Sequence, residues 1–169
     1  MPNYRIIDGA AQLVARDSAA GAAAHGRQVA LVAARFNADI VDQMVAGAAA
    51  VWEQQGGDPA GLTLVRAPGA FELPLLARKL AQTGRYDAIV ALGCVIRGDT
   101  AHFEFVSGEA ARGISEAARD TGLPVIFGVL TTENLEQALE RADVARMDKG
   151  GEAMMAALEM MSVLREIGS

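Results

Sequence analysis

Only one cysteine, Cys94, and two histidines, His25 and His102, occur in the chain. No internal disulfide can form, and no set of side chains has metal-ligand spacing. Aromatic residues make up just 5% of the sequence although 51% is hydrophobic, so the core must be built from small and branched side chains. No long basic run offsets the net charge of -6, and the positive field that nucleic acid or an acidic membrane surface demands is missing. No apolar run reaches the roughly 18 to 20 residues needed to cross a bilayer. The N-terminus also lacks the order of charged region, apolar region and cleavage site that marks a signal peptide. These absences describe a soluble, cytoplasmic chain whose partners are small molecules or other protein chains. Neither GxGxxG after the first strand nor GxxxxGK[ST] appears, which disfavours dinucleotides and nucleoside triphosphates, and no GxSxG elbow presents a serine.

What is there is a regular alternation of strand and helix. Residues 1–27, rich in Ala and Gly, read as a flexible tail in which His25 is solvated. The remainder, residues 28–169, reads as one domain. A strand runs from Gln28 to Phe36, and Asn37 is expected to cap a helix from Ala38 to Gln55. That helix carries an apolar face wider than one sheet contact needs, and part of it is expected to meet another subunit. After the turn at Gly56 to Pro59 come a short strand, Leu62 to Arg66, and a helix, Phe71 to Gln82. Ala88 to Ile96 follows as an apolar run without polar alternation, the pattern of a strand covered on both faces. Helix from His102 to Thr121, strand from Val125 to Thr131, helix from Thr132 to Ala142 and a last helix with a Met and Leu stripe complete the order. Right-handed crossovers turn this order into an α/β fold: a four-stranded parallel sheet with helices on both faces.

Parallel strands share one rim at their carboxyl ends, where open α/β sheets bind ligands. The exits there are Phe36-Asn37, Pro68 to Glu72, Arg97 to His102 and Thr131-Thr132. Phe36 reads either as a hydrophobic staple or as a platform for a flat heterocycle. Glu72 is a first-turn acid or an acceptor for ligand hydroxyls. The Gly98-Asp99-Thr100 turn feeds a helix N-terminus that offers free N–H groups to an anion. One turn on, His102 is of the residue type that passes protons in either direction near neutral pH. Arg141 and Lys149, which flank the last connector, are candidates for phosphate. Cys94, inside the buried run, reads as a small hydrophobe.

Five stretches in order carry a family resemblance: ARFN at 34–37, APGAFELP at 67–74, GCVIRGDTAHFEFV at 93–106, PVIFGVLTTENLEQALERA at 124–142 and KGGEAMMAALEM at 149–160. Together they resemble the lumazine synthases of riboflavin biosynthesis, from about residue 28 to the C-terminus. The resemblance implies a flavodoxin-like three-layer sandwich. It also implies condensation of 5-amino-6-(D-ribitylamino)uracil with 3,4-dihydroxy-2-butanone 4-phosphate to 6,7-dimethyl-8-ribityllumazine, phosphate and water, with no cofactor or metal.

By the same resemblance Phe36 stacks on the pyrimidine. Ala70, Phe71, Glu72, Cys94, Val95 and Ile96 hold the pyrimidine and its ribityl chain, while Asp99 and Thr100 cradle the phosphate and His102 shuttles protons. Phe127 and Arg141 come from the neighbouring subunit of a ring of five, Phe127 over the pyrimidine and Arg141 on the phosphate. Asn37, Gly98 and Lys149 are further candidates. The connector Asp143 to Asp148 lacks the glycine-bearing turn associated with sixty-subunit shells, which leaves a higher assembly, and association with riboflavin synthase, open. Two other readings compete: a slow flavin-binding paralogue, and a signalling domain of the same architecture. Retention of His102 and Arg141 argues against the first. The second needs acidic residues at the first strand exit, where Phe36-Asn37 stands.

Overall fold

A computed structural model describes residues 21–168. Four strands, β1 (Val29–Ala34), β2 (Leu62–Ala67), β3 (Ala88–Ile96) and β4 (Val125–Thr132), form one all-parallel sheet in the order β2-β1-β3-β4. Five helices accompany them: α1 (Ala38–Gln54), α2 (Leu73–Gln82), α3 (His102–Thr121), α4 (Leu135–Ala142) and α5 (Lys149–Gly168). The three-layer α/β architecture expected from the strand-helix alternation is therefore present.

Alternation along the two central strands divides the core. Val29, Leu31 and Ala33 of β1, with Ala88, Val90, Leu92 and Cys94 of β3, face one layer together with buried residues of α1, α4 and α5. Ala30, Val32 and Ala34, with Ile89 and Ala91, face the other, built from α2 and α3. Every residue of β1 is buried, as a central parallel strand requires. The wide apolar face of α1 is used within the chain, against the sheet on one side and α5 on the other. Packing within the chain thus accounts for the width of that face. The close approach of α1 and α5 needs glycine: a Cβ on Gly150 would lie 2.0 Å from the Met44 carbonyl oxygen, and one on Gly47 2.0 Å from Asp148 Oδ1.

Three local readings change. Gly21 and Ala24 donate to the Gln54 and Gln55 carbonyls at the end of α1, at 2.8 and 2.9 Å, and Ala23 and Ala24 are buried. Residues 21–27 thus pack on the domain, because the last carbonyls of a helix need donors; His25 is exposed, and residues 1–20, the rest of the expected tail, lie outside the described residues. Thr132 remains in β4, paired with Ile96, and α4 is instead capped by Asn134, whose side chain accepts from the Gln137 N–H. Asn37 precedes α1 in a left-handed conformation (φ 58°) and makes no capping bond; its side chain is used elsewhere.

Among the described residues no helix is long and apolar enough to cross a membrane, and no cluster of three or more His, Cys, Asp or Glu side chains could hold a metal ion.

Candidate active site

The chain leaves β1 toward β2 on one side, and leaves β3 toward β4 on the other. Adjacent strands whose connections diverge open a crevice at their carboxyl ends. A cavity of about 620 Å³ lies at this point, lined from three exits: Phe36 after β1, Gly69 to Glu72 after β2, and, along β3 and the start of α3, Cys94 to Ile96, Gly98, Thr100, His102, Phe103, Phe105 and Val106.

Each wall is held by backbone chemistry. Beyond the end of β1 the parallel ladder continues, with Arg35 N–H on Ala67 O at 2.7 Å and Phe36 N–H on Pro68 O at 3.1 Å. Phe36 is thereby fixed beside the second exit. Phe36 is 71% exposed and lines the cavity, so it is not stapled beneath α1. The next residue, Asn37, donates from Nδ2 to the Cys94 carbonyl oxygen at 2.9 Å, which ties the first exit to the third. On the second exit a short 3₁₀ turn, Ala70–Glu72, precedes α2. It packs close to β3 because Gly93 has no side chain: a Cβ there would lie 3.1 Å from Leu73 Cδ1 and 3.5 Å from Ala70 Cβ. The Glu72 carboxylate folds back over Gly69, within 3.3 Å of where a Cβ would stand.

On the third exit Arg97 ends the sheet and Gly98 to Ala101 lead into α3. The Thr100 hydroxyl accepts from the His102 N–H at 3.4 Å. His102 opens the helix with an exposed side chain that lines the cavity. The Cys94 side chain turns into the α1 and α5 layer, and burial pushes its thiol up to about 11. It is no nucleophile near neutral pH, and what β3 offers the cavity there is backbone.

Phe127, Arg141 and Lys149 lie elsewhere, around a second depression of about 430 Å³ where the edge strand β4 meets α4 and α5. Arg141 donates from Nη1 to Gln137 O at 3.1 Å, and Lys149 pairs with Glu152 at 2.7 Å. The two depressions share no residue.

Phe36, Ala70, Phe71, Glu72, Cys94, Val95, Ile96, Gly98, Thr100 and His102 are thus brought together as the sequence indicated. Asp99, an exposed loop residue, does not line the cavity, and neither does Asn37, whose amide holds the Cys94 carbonyl. Gly69, Phe103, Phe105 and Val106 line it without having been singled out. Helical spacing contained the signal for two of them: residues three and four beyond His102 share its face of α3.

Residues 26–165 match the family described as 6,7-dimethyl-8-ribityllumazine synthase. The chain belongs to that family. A relative from Nitratidesulfovibrio vulgaris (strain DP4) bearing that name is 51% identical over 144 residues, covering 85% of this chain and 92% of the relative. Another of the same name, from Deinococcus radiodurans, is 51% identical over 85% of this chain and 93% of its own. The match spans both depressions, and it agrees with the resemblance carried by the five motifs.

Proposed function

We propose that the chain condenses 5-amino-6-(D-ribitylamino)uracil with 3,4-dihydroxy-2-butanone 4-phosphate to 6,7-dimethyl-8-ribityllumazine, releasing phosphate and water, in the penultimate step of riboflavin biosynthesis. The observation that carries this reading is the cavity between the β1 and β3 exits, where an exposed aromatic face, a carboxylate, a helix N-terminus and a histidine converge in a chain of this family. Phe36 stacks on the pyrimidine, while Glu72 and the backbone around Ala70, Phe71, Cys94, Val95 and Ile96 take the ribityl hydroxyls and ring edges. The N–H groups of the loop that leads into α3, around Gly98 and Thr100, meet the phosphate. Asp99 contributes at most its backbone, since a carboxylate turned toward phosphate is repelled.

The substrate's own amine is the nucleophile, so most of the protein's contribution is to hold two reactants together. Forming the imine removes one carbonyl oxygen as water, expelling phosphate requires a carbon-bound proton to leave, and attack of the ribitylamino nitrogen on the remaining carbonyl closes the ring with loss of a second water. His102, on the cavity wall, carries those protons.

A ring of five subunits with shared sites belongs to the same proposal. Phe127 and Arg141 do not reach the cavity of their own chain, but as exposed and half-buried residues at the β4 edge they are free to face a neighbour's. Lys149 would stand beside Arg141 as a second cation. The single buried thiol fits a cytoplasmic enzyme. The test is to mix the protein with both substrates and follow fluorescent lumazine against a protein-free control, since the condensation proceeds by itself. A rate well above the control is expected; a rate equal to it from an intact oligomer overturns the proposal.

A further inference from the structure

We propose that Arg97 is a positioning residue that sets the phosphate loop and His102 against the rest of the cavity, rather than a binder of the phosphate. The inference rests on the function proposed above. Arg97 is the cation nearest in sequence to the Gly98 to Thr100 loop, and a free guanidinium there would be the obvious phosphate partner. It is not free. Its Nε donates to Glu133 Oε2 at 2.7 Å, its Nη1 to Glu104 Oε1, and its guanidinium lies over the Phe103 ring, 4.4 Å from the centroid. Its backbone N–H is also taken, by Thr132 O at 2.8 Å.

These partners come from three places: the end of β4, the turn before α4 and the first turn of α3. Two of them, Phe103 and Glu104, directly follow His102. The clamp therefore fixes the start of α3, and with it the Gly98 to Ala101 loop, relative to the sheet. Two carboxylates on one guanidinium leave a local charge of minus one, so the clamp repels rather than attracts a phosphate. Orientation is its contribution. Only a planar fork that also stacks on a ring satisfies all three partners at once; a lysine ammonium is a single point of charge.

The experiment is steady-state kinetics on Arg97→Met, Arg97→Lys and Glu133→Gln with each substrate varied in turn, on protein shown to keep the wild-type oligomer size. A misplaced α3 start should lower kcat about tenfold and raise KM for the butanone phosphate several-fold in Arg97→Met, in line with the sensitivity of catalysis to misplacement. KM for the ribitylaminouracil, held by Phe36 and residues 70–72, should stay within about twofold. Arg97→Lys should recover only part of kcat, and Glu133→Gln should show the same pattern more weakly. Wild-type constants in Arg97→Met, or an equal rise in both KM values, would overturn the inference. A wild-type protein no faster than the protein-free control would instead remove the function on which it rests.

Discussion

Asn37 donates from Nδ2 to the carbonyl oxygen of Cys94 at 2.9 Å, across the crevice where β1 and β3 diverge. The bond joins the residue after Phe36 to the strand end that forms the cavity floor, so the aromatic platform and the backbone opposite it move as one piece. Asparagine suits the position twice, because it tolerates the left-handed backbone found there (φ 58°, ψ 43°) and its amide reaches the carbonyl. Asn37→Gly keeps the backbone conformation and removes the donor; it should cost about 1 kcal/mol. Asn37→Asp puts a carboxylate against a carbonyl and should cost about 1–3 kcal/mol. Urea denaturation checks both, and an Asp variant as stable as the wild type would show that the bond contributes nothing.

His102 opens α3 on the cavity wall, yet the reaction needs no activated protein nucleophile. His102→Ala should therefore lower kcat by roughly 10²- to 10⁴-fold and leave a rate still above the protein-free control, since holding the two reactants together survives the change. Residual turnover in an assembled variant, measured by lumazine fluorescence, is the expected result. Loss of all turnover above the control would place more of the chemistry on the histidine than this division allows.

Arg141 and His102 line different depressions of the same chain, and a site shared between neighbours makes that separation testable. Arg141→Ala alone should raise KM for the butanone phosphate. In rings dissociated and reassembled from equal amounts of Arg141→Ala and His102→Ala chains, about one site in four combines an intact histidine with an intact arginine from its neighbour. Activity should return to roughly that fraction of wild type. If the mixture remains as slow as its components, Arg141 does not act across an interface.

The sheet was legible because Ala88 to Ile96 is apolar without alternation, a pattern that a strand covered on one face does not show. The rim followed from parallel strands alone. Less was legible where a residue has two outlets. Asn37 has the composition of a helix cap, and only the proximity of Cys94, 57 residues away, diverts its amide. Thr132 precedes acidic residues like a cap, but pairing with Ile96 keeps it in β4. Arg97 read as part of a loop because its partners Glu104 and Glu133 come together only once β3 and β4 lie side by side. Each miss is a tertiary contact overriding a local preference, and two of the three lie at the candidate site.

Two glycines in α3 look equivalent in sequence, as weak points of a long helix, and differ in the fold. A Cβ on Gly113 would lie 2.6 Å from Pro74 Cβ, whereas one on Gly108 meets nothing within 4 Å. Gly113→Ala should therefore push α3 from α2 and destabilise the protein by about 1–3 kcal/mol. Gly108→Ala should stabilise it by about 0.5–1 kcal/mol, as alanine improves an exposed helix position. Opposite signs in thermal or urea unfolding are the expected outcome; equal signs would mean that the α2–α3 contact does not depend on glycine.

Cys94 tests the packing beneath the site. Burial raises its thiol from an ordinary 9.0 to about 11, because the thiolate would lose its hydration in the layer between β3 and the α1 and α5 helices. An unfolded chain releases this proton near the ordinary value, while the folded one holds it. The group's contribution to stability is thus complete below about pH 9, where both states are neutral, and is lost as pH rises from about 9 to 11. Two measurements follow. Labelling by a thiol reagent at pH 8 should be slow in the native protein and immediate in urea. The fall in unfolding free energy between pH 9 and 11 should be smaller in Cys94→Ala than in the wild type, with the other groups that titrate in this range common to both. Rapid labelling of the native protein would show that the layer between β3 and the α1 and α5 helices opens to solvent.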